Sequence, residues 1–197
     1  MRSFHALIDR LNAASPEDRG NIEQFIWDSF QREKAVLTLD MSGFSLAVRR
    51  HGILSHLCQI RRMQLLTQPI IGSHRGEVVK YEADNLLAVF EHPEDAVQAA
   101  IAINRTAKTA SADTKPDPAI EVCIGIDFGK ILLIPGADCF GDSVNIAFKL
   151  GEDVARSGEI LITPAVREKL SEAGQFPMQE MTLSLSGMEL KAFKVLY

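Results

Sequence analysis

The 197-residue sequence lacks the patterns of a disulfide-stabilised, metal-cluster or membrane protein. Its three cysteines, Cys58, Cys123 and Cys139, have neither CxxC nor metal-ligand spacing, and we expect Cys58 and Cys123 to pack as small apolar residues. No apolar run approaches the roughly 20 residues that span a bilayer, and the N-terminus lacks the apolar core of a signal peptide. These absences predict a cytoplasmic protein that does not insert into a membrane.

The sequence also lacks an excess of positive charge: 26 Asp and Glu outnumber 21 Lys and Arg, and the formal net charge is -5. Domains that bind nucleic acid normally carry a basic patch, so we predict no nucleic-acid partner. The composition, 46% hydrophobic and 24% charged, is typical of a folded protein. The length suits one globular domain with a short appendage.

Two short amphipathic helices are predicted within residues 1–33. Apolar residues at helical spacing, including Phe4 and Leu7, define the first helix, and Ser15 followed by Pro16 marks the start of the second. Their apolar faces must be buried. The segment is therefore predicted to be a lid on the same core, a dimerisation arm, or a regulatory arm that binds an unidentified partner.

From residue 34 the pattern changes to alternating strands and helices, which predicts one α+β domain over residues 34–197 with helices on a mostly antiparallel sheet. A helix is expected from Gly43 to about Gln68, where Pro69 stops it. The segment "AIEVCIGIDFGKILLIPG" is expected to form two strands around Asp127–Lys130, and "PAVREKLSEAG" is expected to form a helix.

Two aspartates stand where predicted strands end or begin beside apolar segments. Asp40 ends "KAVLTLD", and Asp84 lies in the predicted hairpin "GEVVKYEADNLLAVF". On adjacent strands the two carboxylates could share divalent cations such as magnesium, although a cap or a turn explains such aspartates equally well. The turn after Asp40 can bring backbone amides close to a phosphate, and its candidate phosphate-binding residues are Met41, Ser42, Gly43 and Phe44.

Four blocks of the sequence together resemble the catalytic domain of the class III nucleotidyl cyclases, the adenylate and guanylate cyclase family. They are "LTLDMSGFS", "GEVVKYEADNLLAVF", "VCIGIDFGKILL" and "DCFGDSVNIAFKL", and they follow the family's order within residues 34–197. The resemblance implies the family's ferredoxin-like, palm-type sheet and a bacterial-type homodimer. It further implies an adenylate cyclase, which converts ATP into 3',5'-cyclic AMP and pyrophosphate.

The resemblance also implies roles for the metal-binding and purine-binding positions. Asp40 and Asp84 would hold two divalent cations per site, Mg²⁺ or Mn²⁺, which bind the triphosphate and activate the ribose 3'-hydroxyl. Lys80 and Asp138 would bind the purine. Adenine presents an acceptor at N1 and a donor at N6, which a lysine donor and an aspartate acceptor complement, whereas guanine reverses both groups.

Two further positions match catalytic residues of the family. Asn145 would orient the ribose, and Lys149 would stabilise the phosphate in the transition state. In the family each subunit supplies metal ligands to one site and purine and ribose contacts to the other. The resemblance therefore implies that a homodimer forms two equivalent sites and that a monomer completes neither.

Three positions depart from the family's pattern. Ala83 replaces the usual glycine before the second metal-binding aspartate, and Ser186 stands where a phosphate-binding lysine is frequent. Lys149 replaces an arginine, so it keeps the positive charge but loses the planar group that grips two oxygens. These departures keep open a catalytically quiet cyclase-homology domain that binds a nucleotide or a partner. A ferredoxin-like interaction module without a nucleotide site is a third alternative.

Overall fold

The computed structural model of the protein describes residues 4–42, 44–113, 120–171, 176–185 and 188–197. The helices are α1 (Phe4–Ala13), α2 (Pro16–Phe30), α3 (Phe44–Ser73), α4 (Pro93–Asp113), α5 (Asp142–Phe148) and α6 (Pro164–Arg167). A π-helical segment, Lys149–Val154, directly continues α5. The strands are β1 (Gln31–Met41), β2 (Gly76–Glu82), β3 (Asn85–Phe90), β4 (Val122–Ile134), β5 (Asp138–Phe140), β6 (Ile160–Ile162), β7 (Met178–Leu185) and β8 (Met188–Val195).

These strands form one sheet with β1 and β4 at its centre. The order along the sheet is β2-β3-β1-β4-β6-β8-β7, and β5 pairs with β4 beside this path. The pairing of β4 with β6 is parallel and the other recorded pairings are antiparallel. The predicted class, an α+β domain with helices on a mostly antiparallel sheet, is confirmed.

Alternate residues of β1 point to opposite faces of the sheet. Leu37 and Leu39 belong to the larger core, which includes residues of α3 and α4. Val36 belongs to a second core that includes residues of α5. The same alternation places Thr38 and Asp40 on the α5 face, so β1 directs its terminal carboxylate toward that side of the sheet.

The N-terminal helices form where the sequence predicts them. Pro16 lies in the first turn of α2, and the Ser15 hydroxyl accepts a hydrogen bond from the Asp18 amide at 3.3 Å. Helix α2 ends at Phe30 and β1 begins at Gln31 without an intervening loop. The first residues of the strand therefore lie within the segment that was predicted to be helical.

Helix α3 is longer than the sequence predicts and is interrupted at a different residue. It continues past Pro69 to Ser73, so the predicted end at about Gln68 is wrong. Pro69 removes the amide that would bond to the Leu65 carbonyl, but both residues are exposed and water can satisfy that carbonyl. The actual interruption is at Gly52, which has φ 81° and ψ 166°.

Strand β4 is continuous, so the predicted division into two strands at Asp127–Lys130 is wrong. Its register with β1 is unbroken from Leu132 to Val122, because the ladder with a central strand outweighs the local turn tendency of Asp and Gly. Helix α6 is shorter than predicted, and residues 172–174 of that prediction lie outside the described residues. Cys58 is exposed rather than packed, whereas Cys123 is buried as predicted.

Helix α5 and its π-helical continuation lie very close to the sheet. A Cβ atom added to Gly125 of β4 would lie 2.5 Å from the Gly151 amide nitrogen and closer still to the Ala147 carbonyl oxygen. The buried Thr38 hydroxyl donates to the same Ala147 oxygen at 2.9 Å. Glycine is therefore required at this contact, which fixes α5 against β1 and β4.

We predict that Gly125→Ala destabilises the domain by about 2–4 kcal/mol, because the added methyl group meets backbone atoms that cannot rotate away. Urea denaturation measures the change. Gly20→Ala on α2 is the matched control, since a Cβ there meets no atom within 4 Å. The control should be neutral or stabilising by up to about 1 kcal/mol. Equal stabilities of the two variants would contradict the close contact.

Candidate active site

The two predicted metal-binding aspartates reach the same end of the sheet. Asp40 lies near the end of β1, and Asp84 lies with Ala83 in the two-residue turn between β2 and β3. Strand β1 pairs with β3 up to Leu39 opposite Leu86, immediately before Asp40 and just after the turn. Ala83 has φ 51°, a left-handed conformation that costs a residue with a Cβ roughly 1–2 kcal/mol. The turn thus accommodates the Cβ of Ala83, where the family usually has glycine, but its backbone is strained.

Negative charge is concentrated around Asp40. Burial, followed by the nearby charges of Asp84 and Glu152, raises the pKa of Asp40 from 3.8 to about 6. Burial, Asp153 and Asp84 also raise the pKa of Glu152. The Asn85 side-chain amide donates to Glu152 Oε1 at 3.0 Å, so it ties the π-helical segment to the turn that carries Asp84.

Sequence reasoning did not identify Glu152 as a neighbour of the aspartates. The only available signal is its position just after the block "DCFGDSVNIAFKL", and that signal does not show which way the side chain points. Its proximity to Asp40 depends on the π-helical turn that follows α5 and on the packing of that turn against the sheet.

The donor set suits a hard divalent cation. Crowded carboxylates repel each other, and a cation bound between them removes that repulsion. The side-chain amide oxygen of Asn85, Oδ1, is also buried and has no hydrogen-bond partner within the described ranges. Over the same ranges, no group of three or more His, Cys, Asp or Glu side chains has the geometry of a metal site. Asp40 and Asp84 would therefore hold a cation together with backbone, substrate or water oxygens, which suits Mg²⁺ or Mn²⁺.

Lys80 of β2 and Asp138 of β5 form an ion pair. Lys80 Nζ donates to Asp138 Oδ2 at 2.9 Å and lies 3.0 Å from a carboxylate oxygen of Glu82, whose side chain is 73% exposed. The hydrogen bonds to Asp138 and then to Glu82 raise the pKa of Lys80. Lys80 and Asp138 line a cleft of about 310 Å³, together with Asn145 of α5. The structure thus brings three of the predicted nucleotide-binding residues to one cleft.

Lys149 begins the π-helical segment four residues after Asn145. Residues four apart on a helix lie on the same face, so Lys149 lies one turn beyond Asn145 along that face. This spacing suits a side chain that reaches a phosphate while Asn145 contacts a ribose.

The predicted phosphate-binding turn is only partly described. The Ser42 amide and hydroxyl both donate to the Glu121 carbonyl, at 2.9 Å and 3.3 Å, and Met41 closes the β1–β4 ladder. Phe44 begins α3, and Gly43 lies outside the described residues. In this conformation the Ser42 donors serve to attach the turn to the sheet.

The predicted site residues form two groups on one chain. The described lining of the 310 Å³ cleft includes Lys80, Asp138 and Asn145 but neither Asp40 nor Asp84. A larger cavity of about 600 Å³ lies between α4, residues 120–122, residues 157–158 and Tyr197, and its described lining contains none of the predicted site residues. The predicted site residues therefore lie at the smaller cleft and at the end of the sheet that carries Asp40 and Asp84.

Comparison with known proteins identifies the family. No protein-family model matches the sequence. Over 138 residues the chain is 30% identical to putative adenylate cyclase 3 of Rhizobium meliloti (strain 1021), and the match covers 70% of this chain and 23% of that protein. The structure is also similar to an adenylate/guanylate cyclase/hydrolase from Silicibacter pomeroyi, with TM-score 0.70 and 27% identity over 85% of this chain and 98% of that chain. The chain belongs to the class III nucleotidyl cyclase family.

The fold of this cyclase domain recurs in structures that bind nucleotides. The catalytic core of a rhodopsin-guanylyl cyclase with converted specificity, in complex with ATPαS, has TM-score 0.74 and 22% identity over 84% of this chain and 98% of that chain. The class III cyclase fold implied by the four sequence blocks is thus confirmed. The domain spans less than a quarter of the curated relative, 23% of its length. Across the described parts of the chain, no helix combines the length and apolarity needed to cross a membrane.

We predict that Asp40→Asn stabilises the metal-free cyclase domain at pH 7 but not at pH 4. The pKa of Asp40 is raised from 3.8 to about 6, so its charging penalises the folded state above about pH 6 and the penalty is absent below about pH 4. A shift of this size corresponds to at most about 3 kcal/mol, and solvent screening of a partly exposed group reduces it to about 1–2 kcal/mol. Thermal unfolding with a chelator present measures the effect.

Asp9→Asn, at an exposed position on α1, is the matched control for loss of a carboxylate and should leave the pH profile unchanged. Equal stabilisation by Asp40→Asn at pH 4 and pH 7 would show that charge repulsion is not its cause.

Proposed function

We propose that this domain is an adenylate cyclase, which converts ATP into 3',5'-cyclic AMP and pyrophosphate at the interface of a homodimer. The observation that carries the proposal is the Lys80–Asp138 pair at 2.9 Å in a cleft that also contains Asn145. A cytoplasmic location, as expected from the sequence, is part of the same proposal.

The pair favours adenine through its hydrogen-bonding groups. Lys80 donates to N1, and Asp138 accepts from the N6 amino group. Guanine would place its carbonyl oxygen against the Asp138 carboxylate and its N1–H against the lysine, so both pairs would be mismatched. The proteins named above include both an adenylate cyclase and a guanylyl cyclase, so similarity does not select the base and the proposal rests on these two side chains.

Asp40 and Asp84 hold two divalent cations, Mg²⁺ or Mn²⁺, in this proposal. When bound, the cations supply positive charge to the triphosphate and lower the pKa of the ribose 3'-hydroxyl. The carboxylates contribute the crowded negative charge that binds cations. The raised pKa of Asp40 supports this assignment, because the group is costly to ionise without a compensating positive charge.

The remaining contacts orient the ribose and the phosphates. Asn145 has both a donor and an acceptor for ribose hydroxyls, and Lys149 places a positive charge one helical turn further on. In this proposal, backbone amides of Met41, Ser42, Gly43 and Phe44 bind phosphate oxygens at the start of α3, because the N-terminus of a helix and its dipole favour anions. Because Ser42 donates to Glu121, we expect the turn to rearrange on binding unless Gly43 and Phe44 supply the amides.

The separation of the two groups within one chain supports a dimeric site. Asp40 and Asp84 lie outside the described lining of the cleft that contains Lys80, Asp138 and Asn145. Two-fold symmetry would place the aspartates of one subunit opposite the cleft of the other, which gives two equivalent sites.

A catalytically quiet cyclase-homology domain is the second candidate. It is favoured by the strained Ala83 beside Asp84, and by Lys149, which lacks the planar group of an arginine. Purified protein with Mn²⁺ and either ATP or GTP distinguishes the candidates. Cyclic nucleotide formation supports the enzyme, whereas binding without product supports the quiet domain.

We predict that Lys80→Glu combined with Asp138→Cys raises the GTP/ATP ratio of kcat/KM by at least about 10-fold. Each mismatched and desolvated group costs about 1–3 kcal/mol, and the double substitution exchanges the favoured and mismatched bases. Glu82→Gln is the matched control, because it removes the exposed partner of Lys80 and leaves the cleft intact. An unchanged ratio in a folded, active double variant would assign Lys80 a structural or phosphate-binding role.

Mixing two inactive variants tests the dimeric site. Asp84→Asn and Asn145→Ala each remove one group, so a mixed dimer carries both lesions in one site and none in the other. Random exchange forms mixed dimers in half of the population, and we predict recovery of about a quarter of the wild-type activity. The measurement is the rate of cyclic AMP formation after subunit exchange.

Asp40→Asn mixed with Asp84→Asn provides the control for this experiment. Both lesions lie in the metal-binding group, so each site of a mixed dimer keeps one lesion and no activity should return. Recovery in the control, or no recovery in the test pair despite proven exchange, would contradict sites shared between subunits.

A further inference from the structure

Three phenylalanines connect the N-terminal helix α1 to the cleft. The Phe4 ring of α1 stacks on Phe140 with centroids 5.9 Å apart and planes 11° apart. Phe4 also meets Phe30 edge-on, with centroids 5.3 Å apart and planes 80° apart. Both geometries are favourable for aromatic pairs. We call Phe4, Phe30 and Phe140 the aromatic cluster.

Helix α1 is anchored independently of Phe4. Leu7, one helical turn after Phe4, is only 2% exposed. The helix packs against α2, and from there the Phe4 ring reaches Phe140. This arrangement allows α1 to hold Phe140 in place.

Phe140 ends the three-residue strand β5, which also carries Asp138 and Cys139. The strand pairs with β4 through three residues, from Leu132 opposite Phe140 to Ile134 opposite Asp138. Phe140 itself is 47% exposed and lines the cleft. Such a short strand gains little from its own ladder, so a contact at its end contributes a large share of its order.

We propose that Phe4 is a positioning residue that holds β5, and with it the base-binding Asp138, in the geometry of the cleft. The N-terminal helix would then support the purine site of the same chain through its contact with Phe140. The nucleotide part of this inference rests on the proposed function, whereas the ordering of β5 by Phe4 does not.

Two physical consequences follow. Without the Phe4 ring, Phe140 loses its stacking partner, so β5 separates from β4 more often. The interaction free energy of such an aromatic pair is large enough to change the opening equilibrium of β5 by about two- to ten-fold. Because Asp40 lies on β1 and Asp84 lies in the turn between β2 and β3, their cation affinity should not change.

Cys139 provides a direct readout of β5, because it lies between Asp138 and Phe140. It is 2% exposed, and burial raises the pKa of its thiol to about 12, so alkylation requires local opening. Cys123 is 5% exposed on β4 and serves as an internal control. The experiment uses the full chain with Cys58→Ser, which removes the exposed thiol. Alkylation at each cysteine is followed by peptide mass spectrometry.

Phe4→Ala should increase the alkylation rate of Cys139 by about two- to ten-fold and leave that of Cys123 unchanged. Phe4→Tyr keeps an aromatic ring and should restore the slow rate. Phe25→Ala is the matched control, since Phe25 is a 53% exposed phenylalanine on α2. Binding of a fluorescent ATP analogue should weaken by a similar factor in Phe4→Ala only, while Mn²⁺ affinity measured by electron paramagnetic resonance should stay constant.

An unchanged Cys139 rate in Phe4→Ala would overturn the inference, as would equal acceleration at Cys139 and Cys123. Failure of the wild-type protein to bind the ATP analogue, with Cys139 accelerated in Phe4→Ala, would reject the proposed function and retain the positioning role. If Phe4→Ala does not fold, Phe140→Leu tests the same contact from β5 and should accelerate Cys139 in the same way.

Discussion

The close contact of α5 with β1 and β4 determines the geometry of both groups of site residues. Gly125 and Gly151 allow the backbones to approach, and the Thr38 hydroxyl joins β1 to the Ala147 carbonyl. On one side of this contact, Asn145 reaches the cleft. On the other, Glu152 approaches Asp40. A larger residue at either glycine would separate helix and sheet and move both groups, so the electrostatics of the aspartates and the shape of the cleft depend on the same packing.

Much of the fold follows from local sequence patterns. The apolar segment of β1, the hairpin β2–β3 and the start of α2 at Ser15 and Pro16 each have a strong local signal, and each forms as predicted. The errors arise where tertiary contacts outweigh such signals. Asp127–Lys130 resembles a turn, but its pairing with a central strand keeps it extended. Pro69 resembles a helix end, but the carbonyl that loses its amide partner belongs to the exposed Leu65, where water can satisfy it, so the helix continues.

The candidate site likewise contains residues that local sequence patterns predict and residues that only tertiary packing brings together. Lys80 and Asp138 lie in sequence blocks that resemble the cyclase family, and the resemblance predicts that both bind the purine. In the structure the two side chains form a hydrogen bond. Glu152 carried no comparable signal, because its approach to Asp40 requires the wide π-helical turn after α5. The contact between Phe4 and Phe140 was also hidden, since the residues are far apart in sequence and belong to segments with no pattern in common. Long-range proximity of this kind depends on the packing of whole elements.

Because β1 follows α2 directly, the number of residues between the N-terminal helices and Asp40 cannot change without disturbing the helix or the strand. A loop would absorb an insertion, but here Phe30 ends the helix and Gln31 already pairs with Leu132. One added residue at this point would either shift the strand by one position, exchanging its two faces, or unwind the last turn of α2. Strands that follow a helix so directly tolerate substitution far better than a change in length. Variation in this part of the domain is therefore expected to preserve residue count even where residue identity changes.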